Sequence, residues 1–176
     1  MQRFCSDRPQ LKEADTVQLS FYQPDIPQNL GTAIRLSACF GVKMQIIEPC
    51  GFPLTDKALK RAMLDYGNLA QVERVDSADS FFEDAQKKSE RVVLFSTQGA
   101  TPLQNFEFRK TDRLMFGRES AGVPEDVHNR ADARVVIPLV EGARSINVAT
   151  AAAIGLFEAL RQTNGLLLGA PHTLTA

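Results

Sequence analysis

The chain has 176 residues, with 20 Lys or Arg against 21 Asp or Glu and a formal net charge of −1. At 44% hydrophobic and 23% charged residues it has the make-up of one globular domain rather than a disordered or collagen-like chain. Near-neutral charge gives no global positive field, so any contact with nucleic acid has to come from local patches.

Three cysteines (Cys5, Cys39, Cys50) without CxxC spacing argue against a disulfide framework and a structural zinc site. Two histidines, His128 and His172, leave no room for an HExxH metalloprotease, so no metal is expected. No apolar run reaches the roughly 18 residues a membrane span needs. The polar leader Met1 to Thr16 has no apolar signal region. The expectation is a reduced, cytoplasmic protein. Its single domain spans 17–165, between an extension at 1–16 and a tail at 166–176.

The elements follow in chain order. Val17 to Tyr22 is β-branched and aromatic, and Pro24 ends it as a strand. Pro27 to Phe40 reads as a helix, because Leu30, Ala33, Ile34 and Ser37 share one face and Gly41 stands where a C′ glycine belongs. Val42 to Glu48 is a second strand, Asp56 to Leu64 a short basic helix and Gln71 to Val75 a weakly alternating strand. Ser77 to Lys88 is a surface helix with Phe81, Phe82 and Ala85 turned inward. Arg91 to Thr97 is strongly apolar, with a turn at Gly99 to Pro102. Leu114 to Phe116 and Arg134 to Leu139 are short strands, and Asn147 to Arg161 is an alanine-rich helix with Asn147 as N-cap. Strands that are apolar throughout and alternate with helices make an α/β sheet, mostly parallel, with helices on both faces.

Three segments stand out from ordinary core. Pro27-Gln28-Asn29-Leu30-Gly31 opens a helix carrying Arg35 beside the small residues Gly31, Thr32 and Cys39. The reading is either a capped amphipathic helix with a solvated arginine or a guanidinium reached from outside. Leu114 to Pro124 contains a strand ending on Gly117, which allows close approach to the main chain at the carboxyl edge of the sheet, or is simply a glycine-rich turn. It is neither a Walker loop nor a GxSxG elbow, and Ser120 has no suitably placed histidine for a serine hydrolase. Ile137 to Asn147 carries Arg144 and Ser145 into a helix rich in Ala and Gly, fitted to pack closely on its own sheet or on a second subunit.

In this order, the three segments resemble the motifs of the SPOUT methyltransferases, in the branch that methylates the ribose 2′-oxygen of tRNA and rRNA. Asn29-Leu30-Gly31-Thr32-Ala33-Ile34-Arg35 matches N-x-G-x-x-x-R. Phe116 to Gly122 matches F-G-x-E-x-x-G. Ile137-Pro138 through Arg144-Ser145-Ile146-Asn147-Val148 matches I-P…x-S-L-N-V, with isoleucine for leucine. Tyr22 to Asn29, Ile47 to Phe52 and Ala62 to Tyr66 are similar to the small tRNA (cytidine/uridine(34)-2′-O)-methyltransferases. The chain departs from them in its extension at 1–16 and in Phe157, where some members have tyrosine.

The resemblance implies a deep C-terminal trefoil knot and S-adenosylmethionine held by Phe95, Thr97, Gly117, Ile137, Leu139 and Ser145. It implies Arg35, Asn29 and Glu119 as catalytic residues. It also implies a homodimer acting on the anticodon stem-loop of tRNA, in tRNA-Leu isoacceptors, at the wobble ribose. RNA contacts are expected from Lys57, Lys60, Arg61 and Arg144, with Arg113 and Arg118 as further phosphate ligands, the alternative for Lys57 to Arg61 being a solvated helix face; Phe52 or Tyr66 is either a base-stacking partner or simply core. The 2′-hydroxyl proton passes either to Arg35 or, with Arg35 clamping a phosphate, to that phosphate or water. The competing readings are methylation at another tRNA or rRNA site, and a non-catalytic RNA-binding protein of the same fold.

Overall fold

Residues 16–55, 57, 59, 69–99 and 101–166 are described in the computed structural model of the chain. Strand β1 (Gln18–Tyr22) is buried at every position and lies in mid-sheet. Pro27 starts α1 (Pro27–Phe40), and Gly41 ends it in the left-handed conformation at φ 67°. Leu30, Ala33, Ile34 and Ser37 are all buried, as their spacing requires. Then come β2 (Lys43–Ile47), β3 (Gln71–Val75) and α2 (Ala78–Lys87), where the Ser77 side chain accepts the Ser80 N–H as N-cap. In α2, Phe81 and Ala85 are buried and Phe82 is half-buried.

The second half runs through β4 (Val92–Phe95), β5 (Thr101–Pro102), β6 (Arg113–Phe116), α3 (Glu125–Arg130), β7 (Ala133–Val136) and α4 (Val148–Gln162). Two elements differ from the sequence reading. Thr101 and Pro102 extend beside β7 rather than turning, and Glu125–Arg130 is helical. Both are too short to leave a periodic pattern. Of the basic helix expected at Asp56 to Leu64, only Lys57 and Leu59 fall within the described residues, both helical.

The sheet order is β3-β2-β1-β6-β4-β7-β5, and every pairing is parallel. Apolar clusters cover both faces, as a parallel sheet demands. Register sets Phe21 beside Phe116 and Phe116 beside Phe95. Their rings form a row across the strand ends, with centroids 5.5 and 4.7 Å apart.

Helix α4 packs on its own sheet through Ala149, Ala152, Gly155, Leu156, Ala159 and Leu160. A Cβ on Gly155 would lie 2.5 Å from Phe95 Cζ, so the small-residue face is there to seat the helix on that ring. The opposite face of α4 exposes Ile154 (39%) and Phe157 (49%).

Arg113 corrects an expectation. Its side chain has no solvent exposure and donates to Glu90 at 2.6 Å, Asp84 at 2.6 Å and Gln45 at 3.3 Å. It begins β6 as a buried cation neutralised by the partly exposed Glu90 and Asp84, so it does not reach an RNA phosphate.

Candidate functional site

In a parallel sheet of this kind, the crevice beyond the strand carboxyl ends is where ligands bind. A cavity of about 520 Å³ lies there, at the ends of β4, β6 and β7. This falls within the range of small-molecule sites. Phe95 and Thr97, then Gly117 and Glu119, then Ile137, Leu139, Arg144 and Ser145, together with Asn29 from α1, all line it. Residues separated by more than a hundred positions in the chain thus share one wall.

Gly117 marks the tightest point. A Cβ there would lie 2.6 Å from the Gly122 carbonyl carbon and 2.8 Å from its Cα. The close approach comes from the loop itself: Arg118 and Gly122 exchange main-chain hydrogen bonds at 2.9 Å, and Gly122 turns at φ 65°. The sequence reading places a ligand against Gly117; the glycine is required first by the returning chain. Gly99 plays the same part after β4, where a Cβ would lie 2.5 Å from the main chain of Val135. The loops after β4 and β6 are therefore fixed by backbone contacts before any side chain acts.

Hydrogen bonds stitch the three motif segments together. The N–H groups of Ala149 and Thr150 at the start of α4 donate to Asn147 Oδ1 at 2.9 and 3.2 Å. Asn147 Nδ2 donates to Asn29 Oδ1 at 2.8 Å, and Asn29 Nδ2 donates to Glu119 Oε1 at 2.8 Å. Glu119 in turn meets Asp25, in the loop between β1 and α1. Burial, followed by a hydrogen bond with Asp25, pushes the Glu119 carboxyl above its usual range. Asp25 is held down at about 2, chiefly by its bond with Glu119.

Asp25 was missed by sequence reasoning because its partners lie more than ninety residues away. In the sequence it is one residue of the Tyr22 to Asn29 segment, without a role of its own. Arg118 also lines the cavity, its guanidinium 5.4 Å over the Tyr22 ring and its Nε buried with no partner among the described residues.

Of the remaining expected residues, those described lie apart from the cavity. Arg35 is exposed on α1, its Nη2 3.5 Å from Thr32 Oγ1, and does not line the cavity of its own chain. Lys57 is exposed, while Lys60, Arg61 and Tyr66 lie outside the described residues. Phe52 packs half-buried against the core. Ser120 donates its hydroxyl to Asp25, and His128 bonds to Arg134, so no serine–histidine pair forms there. The loop at Cys50 to Phe52 packs on Pro24 and Asp25, with Gly51 N–H donating to Pro24 O at 2.9 Å.

Residues 16–157 match the model of the SpoU rRNA Methylase family. The chain belongs to the SpoU family. It is 51% identical over 150 residues to a tRNA (cytidine(34)-2′-O)-methyltransferase of Ancylobacter novellus, covering 85% of this chain and 95% of that protein. A solved structure described as giving insight into the 2-OH methylation of C/U34 on tRNA aligns at TM-score 0.79 and 39% identity, over 86% of this chain and 99% of the other. The SpoU methyltransferase AviRb from Streptomyces viridochromogenes, solved in complex with the cofactor AdoMet, aligns at TM-score 0.73 and 25% identity, over 85% of this chain and 58% of AviRb. The seven-stranded parallel sheet with its flanking helices matches the α/β fold of these SpoU-family structures.

Proposed function

We propose that this SpoU-family chain transfers a methyl group from S-adenosylmethionine to the ribose 2′-oxygen of the wobble nucleotide, position 34, of a tRNA anticodon, in tRNA-Leu isoacceptors. One observation carries the reading. The three motif segments, remote in sequence, converge on a single cavity and are joined through Asn147, Asn29 and Glu119. The relatives' names give the substrate class.

The residues present fit the cofactor. Apolar strand ends at Phe95 and Ile137 offer flat surfaces, and Gly117 and Gly122 line the cavity with no side chain to cover their main-chain atoms. Phe95, Thr97, Gly117, Ile137, Leu139 and Ser145 hold the cofactor, and the loops that bear them form the knot. When bound, S-adenosylmethionine supplies an electrophilic methyl group. The chain contributes by fixing both reactants, a gain of about 7–11 kcal/mol when alignment is good.

A guanidinium stays protonated at neutral pH, so Arg35 acts as a clamp on an RNA phosphate, and that phosphate or water accepts the hydroxyl proton. Asn29 and Glu119 hold the acceptor side of the cavity in shape. Lys57, Lys60, Arg61 and Arg144 add phosphate contacts. Because Arg35 stands outside its own cavity, a second copy brings it to one. Ile154 and Phe157 on α4 and Val140, 82% exposed, supply apolar surface for that homodimer. No described helix is long and apolar enough to cross a membrane, and the place of action is the cytoplasm.

The test is transfer of labelled methyl from S-adenosylmethionine to an anticodon stem-loop of tRNA-Leu. Incorporation is expected with ribose at position 34 and is lost with 2′-deoxyribose there. Incorporation that survives the deoxy substitution would contradict the reading.

A further inference from the structure

Arginines drawn away from solvent in this chain are matched with acceptors. Arg113, fully buried, donates to Glu90, Asp84 and Gln45. Arg91, half-buried, grips Asp112 through Nε at 2.9 Å and Nη2 at 2.7 Å. Arg134, also half-buried, has Nη1 3.2 Å from His128 Nδ1. Arg118 is the exception: it is half-buried, and among the described residues nothing accepts from its guanidinium and no carboxylate pairs with it.

The side chain is nevertheless held in place. The Arg118 main chain exchanges two hydrogen bonds with Gly122 at 2.9 Å, directly after Gly117 at the end of β6. Its guanidinium lies 5.4 Å over the ring of the buried Tyr22, which ends β1. A ring face steadies a cation without neutralising it and without occupying its N–H groups. Nε is buried without a partner, whereas the two Nη groups, also without partners among the described residues, keep contact with solvent. A forked donor with one edge sealed and its tips accessible thus stands among the residues lining the cavity.

The carboxylates nearby are turned to other donors. Glu119, the next residue, accepts the Asp25 N–H at 3.2 Å and Asn29 Nδ2 at 2.8 Å. Asp25 accepts the N–H groups of Glu119 and Ser120 at 3.2 and 3.3 Å. Arg144, the other cation lining the cavity, is exposed. A cation partly withdrawn from water costs stability that a charged, hydrogen-bonded partner returns. The planar fork suits a group with two oxygens, a carboxylate or a phosphate.

We propose that Arg118 binds an oxyanion of the reactants at this cavity, either the carboxylate of the methyl donor or a phosphate of the RNA. The identity of those reactants rests on the function proposed above; the preference for an oxyanion does not. The sulfonium and ammonium groups of S-adenosylmethionine are positive, so its carboxylate is the one part suited to Arg118. RNA offers the same chemistry at every phosphate.

The experiment compares wild type, Arg118→Lys and Arg118→Gln in the full chain. Titration calorimetry uses S-adenosylmethionine and 5′-methylthioadenosine, which keeps the adenosine and the sulfur but has no carboxylate. Binding of an anticodon stem-loop is measured over a range of salt. If the carboxylate is the ligand, Arg118→Gln should weaken S-adenosylmethionine on the order of tenfold, the scale of a lost charged hydrogen bond, and leave methylthioadenosine within about twofold. If a phosphate is the ligand, cofactor affinity should hold while stem-loop affinity falls by a similar factor and its salt slope drops by roughly one phosphate contact. In either arm Arg118→Lys should recover only part, because a point charge does not reproduce the fork.

Unchanged affinity for both S-adenosylmethionine and RNA in Arg118→Gln would overturn the proposal. So would equal weakening of S-adenosylmethionine and methylthioadenosine, the mark of a displaced 117–122 loop rather than a lost charge. Nitrogen-15 resonances of the wild-type Arg118 guanidinium, followed on adding inorganic phosphate, separate this inference from the function reading. A shift that saturates there, in a chain that binds neither S-adenosylmethionine nor the stem-loop, would uphold the oxyanion site and overturn the function reading instead.

Discussion

On the proposed function, Arg35 and Gly117 divide the work of the site into acceptor and cofactor sides. Arg35 is exposed and, among the described residues, bonded to its helix neighbour Thr32, so its removal should leave the cavity intact. Arg35→Ala should lose methyl transfer while S-adenosylmethionine binding, read by calorimetry, stays within about twofold of wild type. Arg35→Lys should restore little, because a point charge does not reproduce a bidentate phosphate contact; near-normal turnover in that variant would refute the clamp. Gly117 belongs to the other side. In Gly117→Val the new side chain meets the Gly122 backbone, which cannot swing away as a flexible side chain does. Cofactor affinity should be lost with the far-ultraviolet circular dichroism unchanged; retained affinity would place the cofactor elsewhere. At this scale Asn29, Gly117 and Asn147 were legible because they sit in short motifs of recognisable spacing. Asp25 was not, because its contacts with Glu119 and Ser120 exist only once two loops have been brought together.

At the scale of elements, α4 shows why composition alone could not choose between two packings. An alanine-rich face suits a sheet or a second subunit equally well, and only the contact of Gly155 with Phe95 decides for the sheet. Gly155→Ala sets two effects against each other. Helix propensity favours alanine by about 1 kcal/mol, while forcing a methyl group against the Phe95 ring costs about 1–3 kcal/mol. The clash should win by up to roughly 2 kcal/mol in chemical denaturation. Cofactor affinity should fall too, since Phe95 lines the cavity; a more stable variant with full affinity would show that the ring yields freely. Helices α1 and α2 were readable to within a residue because their apolar spacing is backed by end signals, Gly41 for one and Ser77 for the other. Strand β5 and helix α3 carry two and six residues, too few for a period to emerge. Arg113 misled for a related reason: a cation at the edge of an apolar strand reads as solvated until Glu90 and Asp84, from another part of the chain, are seen to enclose it.

At the scale of the whole molecule, the parallel sheet followed from strands that are apolar throughout, but its order did not. The crossing from β3 back to β4 beyond β6 is set by long-range pairing that no local pattern records. The proposed homodimer would cover the exposed apolar surface at Val140, Ile154 and Phe157 and bring an Arg35 that stands outside its own cavity to its partner's. Light scattering at micromolar concentration should give twice the chain mass, and a monomer with full activity would rule the dimer out. The central claim concerns the substrate, and one measurement addresses it most directly: deletion of the gene followed by mass-spectrometric mapping of ribose methylation across all tRNAs. The account predicts loss of the 2′-O-methyl group at position 34 alone, restored by the wild-type gene and not by Arg35→Ala. Intact methylation at position 34, with the loss falling on another tRNA position or on rRNA, would contradict it.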